Sequence, residues 1–396
     1  MRIAIVAHGR FHAFDLAREL RALGHDVTLL SNYPAWVRSR FGLEQVDYRP
    51  LVAHGASERV LSRLVPARRQ LFEQARHEWF GRWAARTLGG GHWDVVHCWS
   101  GVSEEILRSP ELNGAVRVLM RGSAHIREQS ELLEAEEQRL GMSIERPSPW
   151  MVAREEREYA LADRIVVLST FARTTFERRG VTASRLSVLP LGVDTAAFGV
   201  DAEVRERRAA RVLEGRPLRV VYAGALSAQK GLLDLLEAAR RCADLPLVFE
   251  LVGAALPEMA GPLAARPGNV VVTGAVDQGA LPAVYAVADL FVFPTIQDGF
   301  GMVLSQAAAA GLPILCSTNC AGPELIAAGA PGWVVPIRRP DLLADRLRWC
   351  HEHRPALAEM VRTTFVPHVR SWRDVAEDFA GHAREWVSAM RRERSA

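Results

Sequence analysis

Short, uniformly apolar runs alternate with helical patterns along the whole chain, and this alternation constrains the fold more than any other feature. In the first half the runs are Ile3–Ala7, Val27–Ser31, Val95–Cys98, Val116–Met120, Ile165–Leu168 and Leu186–Leu189. In the second half they are Leu218–Ala223, Leu247–Val252, Val270–Thr273, Leu290–Phe293, Ile314–Cys316 and Trp333–Val335. Because polar residues do not alternate within them, the runs are typical of parallel strands that are covered on both faces. Since helical patterns such as Phe14–Leu23, Leu232–Ala243 and Met302–Ala310 lie between the runs, the sequence predicts an α/β chain with doubly wound parallel sheets.

A length of 396 residues is too great for one ordinary hydrophobic core, so two domains of similar size are expected. An arginine-rich polar stretch separates the last run of the first half from the next run. We therefore predict a first Rossmann-like domain over residues 1–195 and a second over residues 196–371. Residues 372–396 contain a final helix, Trp372–Met390, which either completes the second domain or crosses back to the first. Ligands of such sheets bind at the carboxyl ends of strands, so the predicted active site is the cleft between the domains.

The overall charge and the cysteines exclude several classes of protein. A net charge of +3 and a pI near 8.7 are too weak to indicate nucleic-acid binding, although they fit anionic small molecules or an acidic membrane surface. The five cysteines are scattered, and no histidine or cysteine cluster completes a metal site beside them. We therefore expect reduced thiols, no metal site and a cytoplasmic location. The amino terminus reads as a short strand rather than a signal peptide, and no run of 18 apolar residues is present.

Only one of the 49 lysine and arginine residues is a lysine, Lys230, and it lies in the glycine-flanked segment 224–231. Lysine is a compact point charge that can focus on one anionic oxygen, whereas arginine is a wide planar fork. The segment follows a predicted strand and precedes a predicted helix, which is where phosphates are commonly held. The pattern favours phosphate binding, and the alternative is that the single lysine stands there by chance.

A second glycine-rich segment, residues 294–301, runs into the predicted helix Met302–Ala310. Its glycines allow a ligand to approach the backbone closely and leave N–H donors at a helix N-terminus. Asp298 precedes that terminus and Gln306 follows eight residues later, so the pair would be able to hold hydroxyls of a sugar and of a ribose. The alternative is that Asp298 caps the helix and that Gln306 is solvated.

Five motifs occur in an order and spacing that carry a family resemblance. They are Asp163–Ser169, Gly192–Asp194, Gly224–Gly231, Asp298–Gln306 and Gly322–Glu324. With these motifs the chain resembles the retaining glycosyltransferases of family 4, and the resemblance covers almost the whole sequence. It implies the GT-B fold, in which two Rossmann-like domains enclose an interdomain cleft. The first half, with Arg121–His125, resembles a bacterial branch of surface-polysaccharide type.

The resemblance also implies roles on the donor side. Lys230 would pair with the diphosphate of a nucleotide-sugar, Asp298 would bind hydroxyls of the donor sugar, and Gln306 would hold the ribose. His125 would sit over the sugar near the reacting carbon, although a histidine that opens a helix is as often a cap. The N–H groups of Phe300 and Gly301 would assist Asp298. The donor-binding residues implied in addition are Gly9, Arg10, Gly224 and Gly299.

On the acceptor side the resemblance implies less, and it places only His12 and Arg121 there. Three positions depart from the family motifs, because Asp298 and Gln306 each stand where a glutamate is usual and Ala225 stands where an arginine is common. Glutamine accepts a ribose hydrogen bond without the strength that charge adds. These departures leave Lys230 as the main cation and leave the donor's identity open.

The activity that the resemblance implies is transfer of a sugar from a UDP-sugar or GDP-sugar, with retention, to a glycan, a lipid-linked acceptor or another hydroxyl. No metal or cofactor is implied, and the leaving phosphate itself would help to deprotonate the acceptor. Two alternatives stay open, a GT-B nucleotide-sugar epimerase and a regulator that binds a sugar nucleotide with little or no turnover. The short chain disfavours a pyridoxal-phosphate phosphorylase. A nicotinamide enzyme is disfavoured because G-x-G-x-x-G does not follow the first strand.

The stretch Ala56–Leu88 interleaves basic and large apolar residues. Its members are Arg59, Arg63, Arg68, Arg69, Arg76, Arg82, Arg86, Leu61, Leu64, Leu71, Phe72, Trp79, Phe80 and Trp83. A basic amphipathic helix of this kind is able to lie on an anionic bilayer, where a lipid-linked acceptor would be found. The alternative is a helix that packs on the sheet with its arginines in solvent. Peripheral contact with the inner face of the plasma membrane is therefore an open expectation.

Overall fold

The computed structural model describes residues 1–64, 72–112, 114–363 and 369–395. These residues form two parallel β-sheets, one of seven strands and one of six, with helices on their faces. The first sheet contains β1 Arg2–Ala7, β2 Asp26–Ser31, β3 Asp47–Pro50, β4 Val95–Trp99, β5 Val116–Arg121, β6 Arg164–Val167 and β7 Leu186–Val188. The second contains β8 Leu218–Ala223, β9 Leu247–Val252, β10 Val270–Gly274, β11 Leu290–Phe293, β12 Ile314–Ser317 and β13 Gly332–Val335.

The helices fall between the strands, as the alternating pattern predicts. Those up to β8 are α1 Ala13–Ala22, α2 Val37–Arg40, α3 Val52–Leu64, α4 Glu73–Leu88, α5 Glu104–Leu107, α6 Ile126–Leu140, α7 Pro149–Leu161, α8 Thr170–Arg178, α9 Thr195–Phe198 and α10 Ala202–Leu213. Those after β8 are α11 Leu232–Arg241, α12 Ala260–Ala264, α13 Leu281–Val287, α14 Met302–Ala309, α15 Gly322–Ala327, α16 Pro340–Glu352, α17 Arg354–Arg362 and α18 Trp372–Ser395.

The strand order of each sheet predicts where a ligand binds. The order is β3-β2-β1-β4-β5-β6-β7 in the first sheet and β10-β9-β8-β11-β12-β13 in the second. The order therefore reverses between β1 and β4 in one sheet and between β8 and β11 in the other. Open α/β sheets bind ligands at such switch points, outside the carboxyl ends of the strands. The loops after β8 and β11 are the two glycine-rich segments that the sequence singled out.

The predicted fold class is confirmed, since both domains are doubly wound parallel α/β units. Every predicted strand overlaps an observed one, and β3 is an observed strand that the sequence did not predict. β3 pairs only with β2 at the edge of the first sheet, and its residues are half-buried or exposed. An edge strand of this kind lacks the apolar run that marks the inner strands.

Each sheet has its own hydrophobic core. One face of the first sheet is covered by a cluster that includes Phe14 of α1 and Phe379 of α18. The opposite face carries a cluster that includes Phe80 of α4 and Phe176 of α8. The second sheet is enclosed by a cluster that includes Phe291. Burial on both faces explains why the strands read as uninterrupted apolar runs.

The last helix belongs to the first sheet in space. α18 packs against α1, and its Val375, Phe379 and Trp386 lie in the core cluster of that sheet. The chain returns beside the first linker, where the N–H of Val193 donates to the carbonyl of Arg370 at 2.9 Å. Of the two placements that the sequence left open, the crossing to the first sheet is the one observed. The boundary predicted near residue 195 falls between β7 and β8.

Candidate active site

The loops after β8 and β11 meet at the carboxyl edge of the second sheet. Nζ of Lys230, in the first loop, lies 2.7 Å from Oδ2 of Asp298 in the second. The two side chains are 19% and 20% exposed, so both still reach the cleft. A cation and a carboxylate in this position supply one group that suits a phosphate and one that suits sugar hydroxyls. The structure therefore brings together the two residues on which the sequence prediction depends most.

Asp298 also holds the turn that leads into α14. Its Oδ1 accepts the N–H groups of Phe300 at 3.1 Å and Gly301 at 2.9 Å, directly before α14. The sequence predicts that these two amides face the donor sugar, whereas here they are satisfied by Asp298 itself. A sugar would reach them only by displacing that carboxylate. Asp298 is not the N-cap of α14, since that position is Gly301, and its bonds to the turn coexist with the contact to Lys230.

Glycine at position 231 allows the two loops to pack as one unit. Gly231 has a φ of 70°, and a Cβ on it would lie 1.9 Å from the carbonyl oxygen of Pro294. Only glycine combines this backbone conformation with so close an approach. The N–H of Ile296 donates to the carbonyl of Gln229 at 2.9 Å, and the N–H of Gly224 donates to Val252 at the start of the loop. These backbone contacts hold Lys230 beside Asp298.

The first domain closes on the Asp298 loop through Gly299. A Cβ on Gly299 would lie 2.2 Å from the carbonyl oxygen of Gly122, in the loop after β5. The Gly299 carbonyl accepts the hydroxyl of Ser169 at 2.6 Å. Next to it, the hydroxyl of Ser123 donates to Oε1 of Gln297 at 2.8 Å. Gly299 is therefore a point of backbone contact between the domains, which leaves no room for a side chain.

Two further residues of the family motifs also cross the interface. Phe300 is 3% exposed, and its ring lies in the core cluster of the first sheet rather than in that of its own domain. Glu324 accepts the N–H of Thr170 and so caps α8 of the first domain. A carboxylate at a helix N-terminus satisfies N–H groups that the helix leaves unpaired. These residues attach the Asp298 region to the first domain.

An ion network around two buried carboxylates fixes α11, the helix after the Lys230 loop, to α6. Arg139 of α6 pairs with Asp234 in the first turn of α11 at 2.9 Å, and it also pairs with Glu136. Arg338, which follows β13, pairs with Glu136 at 2.8 Å and donates to the carbonyl of Leu132. Glu136 and Asp234 are both buried. The sequence prediction missed all four charged residues, because charges that are distant in the chain carry no local signal of their pairing.

Gln306 lies beside a cavity of about 970 Å³ between the domains. It is buried, and its Oε1 is 3.4 Å from the hydroxyl of Tyr285. Arg10 lines the same cavity and crosses it, since its Nη1 donates to Oε1 of Gln278 at 3.1 Å. Gly9, with a φ of 124°, turns the chain into this position. The Gly9–Arg10 loop and Gln306 are thus on one cavity, apart from the Lys230–Asp298 contact.

His125 is observed as a helix cap. Its Nδ1 accepts the N–H of Arg127 at 3.3 Å, and its ring packs against Tyr159 and Phe176. Burial lowers the pKa of His125 to about 4, so the ring is neutral near pH 7. This arrangement corresponds to the cap alternative rather than to a ring that faces the donor sugar. A role over the sugar would require the ring to leave its aromatic neighbours.

The two residues predicted on the acceptor side have different surroundings. His12 is 6% exposed, and its ring lies against Trp99 and Trp372, so it is part of the core rather than of an acceptor site. Arg121 lines a second cavity, between the first domain and the Lys230 loop. Its Nη1 donates to Oε1 of Glu155 at 2.9 Å. An acceptor-side role stays a prediction for Arg121.

Two family models match the chain over both domains. Residues 10–197 match the model described as glycosyltransferase family 4, and residues 217–353 match the model described as glycosyl transferases group 1. The matched ranges include the loops of Arg10, Lys230 and Asp298. The chain belongs to the group 1, family 4 glycosyltransferases.

Curated relatives of the family 4 chain act on glycolipids and surface glycans. It is 30% identical over 241 residues to the GDP-mannose-dependent α-(1-6)-phosphatidylinositol monomannoside mannosyltransferase of Mycobacterium tuberculosis, and the aligned region covers 58% of each protein. It is 24% identical over 245 residues to the lipopolysaccharide 1,2-N-acetylglucosaminetransferase of Salmonella typhimurium, which covers 56% of this chain and 62% of that protein. The matches therefore span less than two thirds of the length of these relatives.

Solved structures show the same fold as the family 4 chain. Sucrose-phosphate synthase from Thermosynechococcus elongatus superposes with a TM-score of 0.73 at 18% identity, over 98% of this chain and 100% of that one. HepE from Anabaena, solved in complex with UDP-glucose, superposes with a TM-score of 0.67 at 15% identity, over 97% and 100%. At these identities the likeness concerns the GT-B fold alone. Among the described residues, no helix is both long and apolar enough to cross a membrane.

Proposed function

We propose that the chain transfers a sugar from a nucleoside diphosphate sugar to a hydroxyl of a glycan or glycolipid acceptor, with retention at the anomeric carbon. The observation that carries the proposal is the contact between Lys230 and Asp298, 2.7 Å apart at the switch point of the second sheet. Family membership supports the reaction class. The names of the mycobacterial and Salmonella relatives support an acceptor in glycolipid or lipopolysaccharide assembly.

Lys230 and Asp298 exchange partners when the donor binds. The ammonium group of Lys230 leaves Oδ2 of Asp298 for a phosphate oxygen, and Asp298 then accepts hydroxyls of the donor sugar. Both changes replace one charge-assisted hydrogen bond by another, so neither group is left buried without a partner. The ion pair of the free protein therefore keeps the site assembled without blocking it.

In the reaction, the bond between the anomeric carbon and the phosphate oxygen breaks, and the diphosphate leaves with the electron pair. The acceptor oxygen forms its bond to the same carbon on the same face. Its proton passes to the leaving phosphate oxygen, which balances the charge. Lys230 stabilises the negative charge that develops on the diphosphate, and this stabilisation is greatest in the transition state. No metal or cofactor takes part in these steps.

The nucleoside end of the donor is assigned to the cavity at Gln306. Gln306 would accept ribose hydroxyls there, and the Arg10 guanidinium, 3.1 Å from Gln278, would close the cavity around the nucleoside. The mycobacterial relative is named as GDP-mannose-dependent, so a GDP-sugar is the first donor to test and a UDP-sugar the second. Donor binding stabilises the folded chain by mass action, which a thermal-shift panel detects.

The predicted membrane contact is assigned to α4. Phe80 of α4 lies in the core, whereas Trp79 is 40% exposed and Arg82 and Arg86 are exposed beside it. Arg76 is buried and pairs with Glu58, so it is not part of that surface. Arg68, Arg69 and Leu71 lie outside the described residues. An exposed tryptophan flanked by arginines suits an anionic bilayer surface.

Flotation with liposomes tests this contact. Wild type should float with vesicles that contain anionic phospholipid, and a variant with Arg82→Glu and Arg86→Glu should stay in the lower fractions. Arg207→Glu, on the exposed side of α10, is the matched control and should float like wild type. Equal flotation of the double variant would contradict the assignment to α4.

The central test of the function is substitution of Lys230. Lys230→Ala should lower kcat/KM for sugar transfer by about 100- to 1,000-fold, the effect typical of removing one group that stabilises developing charge. Arg240→Ala is a matched control, since Arg240 is exposed on the helix that follows the same loop. Its transfer rate should equal that of wild type. Turnover close to wild type in Lys230→Ala, with the fold intact by circular dichroism, would refute the phosphate role.

A further inference from the structure

A second cavity, of about 350 Å³, lies between the first domain and the Lys230 loop. Its walls from the first domain include Ser100, Arg121 and Gln129, which lie at or after the carboxyl ends of β4 and β5. Its wall from the second domain includes Ser227 and Gln229, just before Lys230 in the loop of residues 224–231, which we call the phosphate loop. The volume is within the range of small-ligand sites, which is roughly 300–1,000 Å³.

This cavity lies beside the predicted reaction centre and is separate from the cavity at Gln306. It shares no lining residue with the cavity at Gln306, which would hold the nucleoside. The residues that follow Arg121 in the same loop, Gly122 and Ser123, touch the Asp298 loop. A ring held here would therefore lie on the side of the donor phosphates that faces the first domain. That is where an acceptor hydroxyl must approach the anomeric carbon.

The segment 141–148 forms the roof of the cavity. Its Ile144 is buried against Leu133 of α6 and Ala228 of the phosphate loop. Its Arg146 pairs with Glu137 of α6 at 3.0 Å. Because the roof is fastened to the phosphate loop on one side and to α6 on the other, it limits how large a group can enter.

The walls of the cavity carry an excess of negative charge. Four carboxylates line it, Glu73, Glu145, Glu155 and Glu258, against the two guanidinium groups of Arg121 and Arg146. Glu155 neutralises Arg121, and Glu137, which is outside the cavity, pairs with Arg146. His77 also lines the cavity, but it adds no positive charge near pH 7, because burial lowers its pKa to about 4 and leaves its ring neutral.

Three of these carboxylates, Glu73, Glu145 and Glu258, have no compensating cation. Among the residues that the structure describes, no lysine, arginine or histidine forms an ion pair with them, and Glu73 accepts only the hydroxyl of Ser148. Glu145 is exposed and Glu258 is half-buried at the rim of the cavity. Carboxylates in this position accept hydrogen bonds from sugar hydroxyls, whereas they repel a second anion. Arg121 and Gln129, side by side at 2.6 Å, supply donors for the oxygens of the same ring.

We propose that this cavity, the acceptor pocket, binds the accepting sugar ring and selects a neutral hexose over a ring that bears a carboxylate or phosphate. The proposal rests on the proposed function, since it names the class of acceptor for the same reaction. A phosphate further along a lipid-linked acceptor would lie outside the pocket. The selectivity is directed at the ring that receives the sugar.

Binding of matched glycosides tests the proposal on the full chain. Methyl glucoside, mannoside and galactoside are compared with the corresponding methyl uronides by saturation-transfer NMR, with GDP and then UDP present. At least one neutral glycoside should bind, and its uronide should bind about tenfold more weakly, because the uncompensated carboxylates around the ring repel a second anion. The double variant Glu145→Gln, Glu258→Gln should reduce this ratio to about twofold. Glu385→Gln, on the exposed side of α18, should leave it unchanged.

The outcomes separate this proposal from the function on which it rests. A uronide that binds as well as its neutral partner, or a ratio that the double variant does not change, would overturn the acceptor pocket. Failure of every neutral glycoside to bind while a nucleotide-sugar binds would also overturn it. Failure of every nucleotide-sugar to bind or to be consumed, with neutral glycosides still bound, would instead refute the proposed function.

Discussion

Two buried histidines under the C-terminal helix make the fold sensitive to acid. His97 of β4 packs between Trp99 and Phe379, with ring centroids 5.0 and 4.8 Å away. Neither of its ring nitrogens has a hydrogen-bond partner among the described residues. His12 also packs against the Trp99 indole, with ring centroids 5.0 Å apart, and its ring is stacked with that of Trp372. Burial lowers the pKa of both histidines to about 3, since a charged ring would lose its water there.

The sign of the effect follows from these values. The pKa of an unfolded histidine is about 6.5, so between pH 6.5 and pH 3 the unfolded chain binds more protons than the folded one. Stability therefore falls as the pH falls through 6.5. Each histidine lowers the free energy of unfolding by about 1.4 kcal/mol for every pH unit below 6.5. At pH 5 the loss is about 2 kcal/mol for each histidine and about 4 kcal/mol for the pair.

The variant His97→Phe isolates half of this effect. It replaces a ring that lacks partners by an apolar ring of similar size, so it should abolish about 2 kcal/mol of the loss between pH 6.5 and pH 5. Urea denaturation at several pH values, followed by tryptophan fluorescence, measures the free energy of unfolding of each form. His92→Phe, at an exposed position, is the control and should keep the wild-type pH dependence. The same acid loss in His97→Phe as in wild type would refute the reasoning.

Two further substitutions test the cleft. Arg139→Met removes the guanidinium that lies 2.9 Å from buried Asp234, so it should cost about 3 kcal/mol and open the domains, seen as a larger radius of gyration in X-ray scattering. Asp234→Asn in the same chain should restore the compact form, and an unchanged radius in Arg139→Met would contradict the network. Gln306→Glu should hold or tighten donor binding in calorimetry, because a carboxylate accepts ribose hydroxyls more strongly, and a large loss would contradict the ribose assignment.

The parts of the fold that the sequence predicts are those in which burial dictates residue type. The inner strands are covered on both faces, so runs such as Leu218–Ala223 and Leu290–Phe293 coincide with the observed strands at both ends. β3, with the residues Asp47–Pro50, lies at an edge and is only partly covered, so it carries no such run. The crossing of α18 is a matter of tertiary contact, and the sequence leaves it open.

The site divides in the same way. Glycine-rich loops after strands are local signals, and they located Lys230 and Asp298 correctly at one edge of the sheet. Contacts between domains have no local signal, and Arg338 and Glu136 are 202 positions apart in the chain. The predicted roles of His12 and His125 were based on the motifs beside them in the sequence. The aromatic rings that bury both histidines come from distant segments. Polar residue type alone does not distinguish a buried ring from a reactive one.

Product analysis with the pure protein tests sugar transfer directly. The protein is incubated with GDP- and UDP-sugars and a panel of neutral glycoside acceptors, and nucleoside diphosphate and glycosides are quantified by liquid chromatography and mass spectrometry. We expect equal amounts of nucleoside diphosphate and of an acceptor enlarged by one sugar, and NMR should show that the donor's anomeric configuration is retained. A donor that is isomerised without transfer, or one that binds without being consumed, would contradict sugar transfer in favour of an epimerase or a regulator.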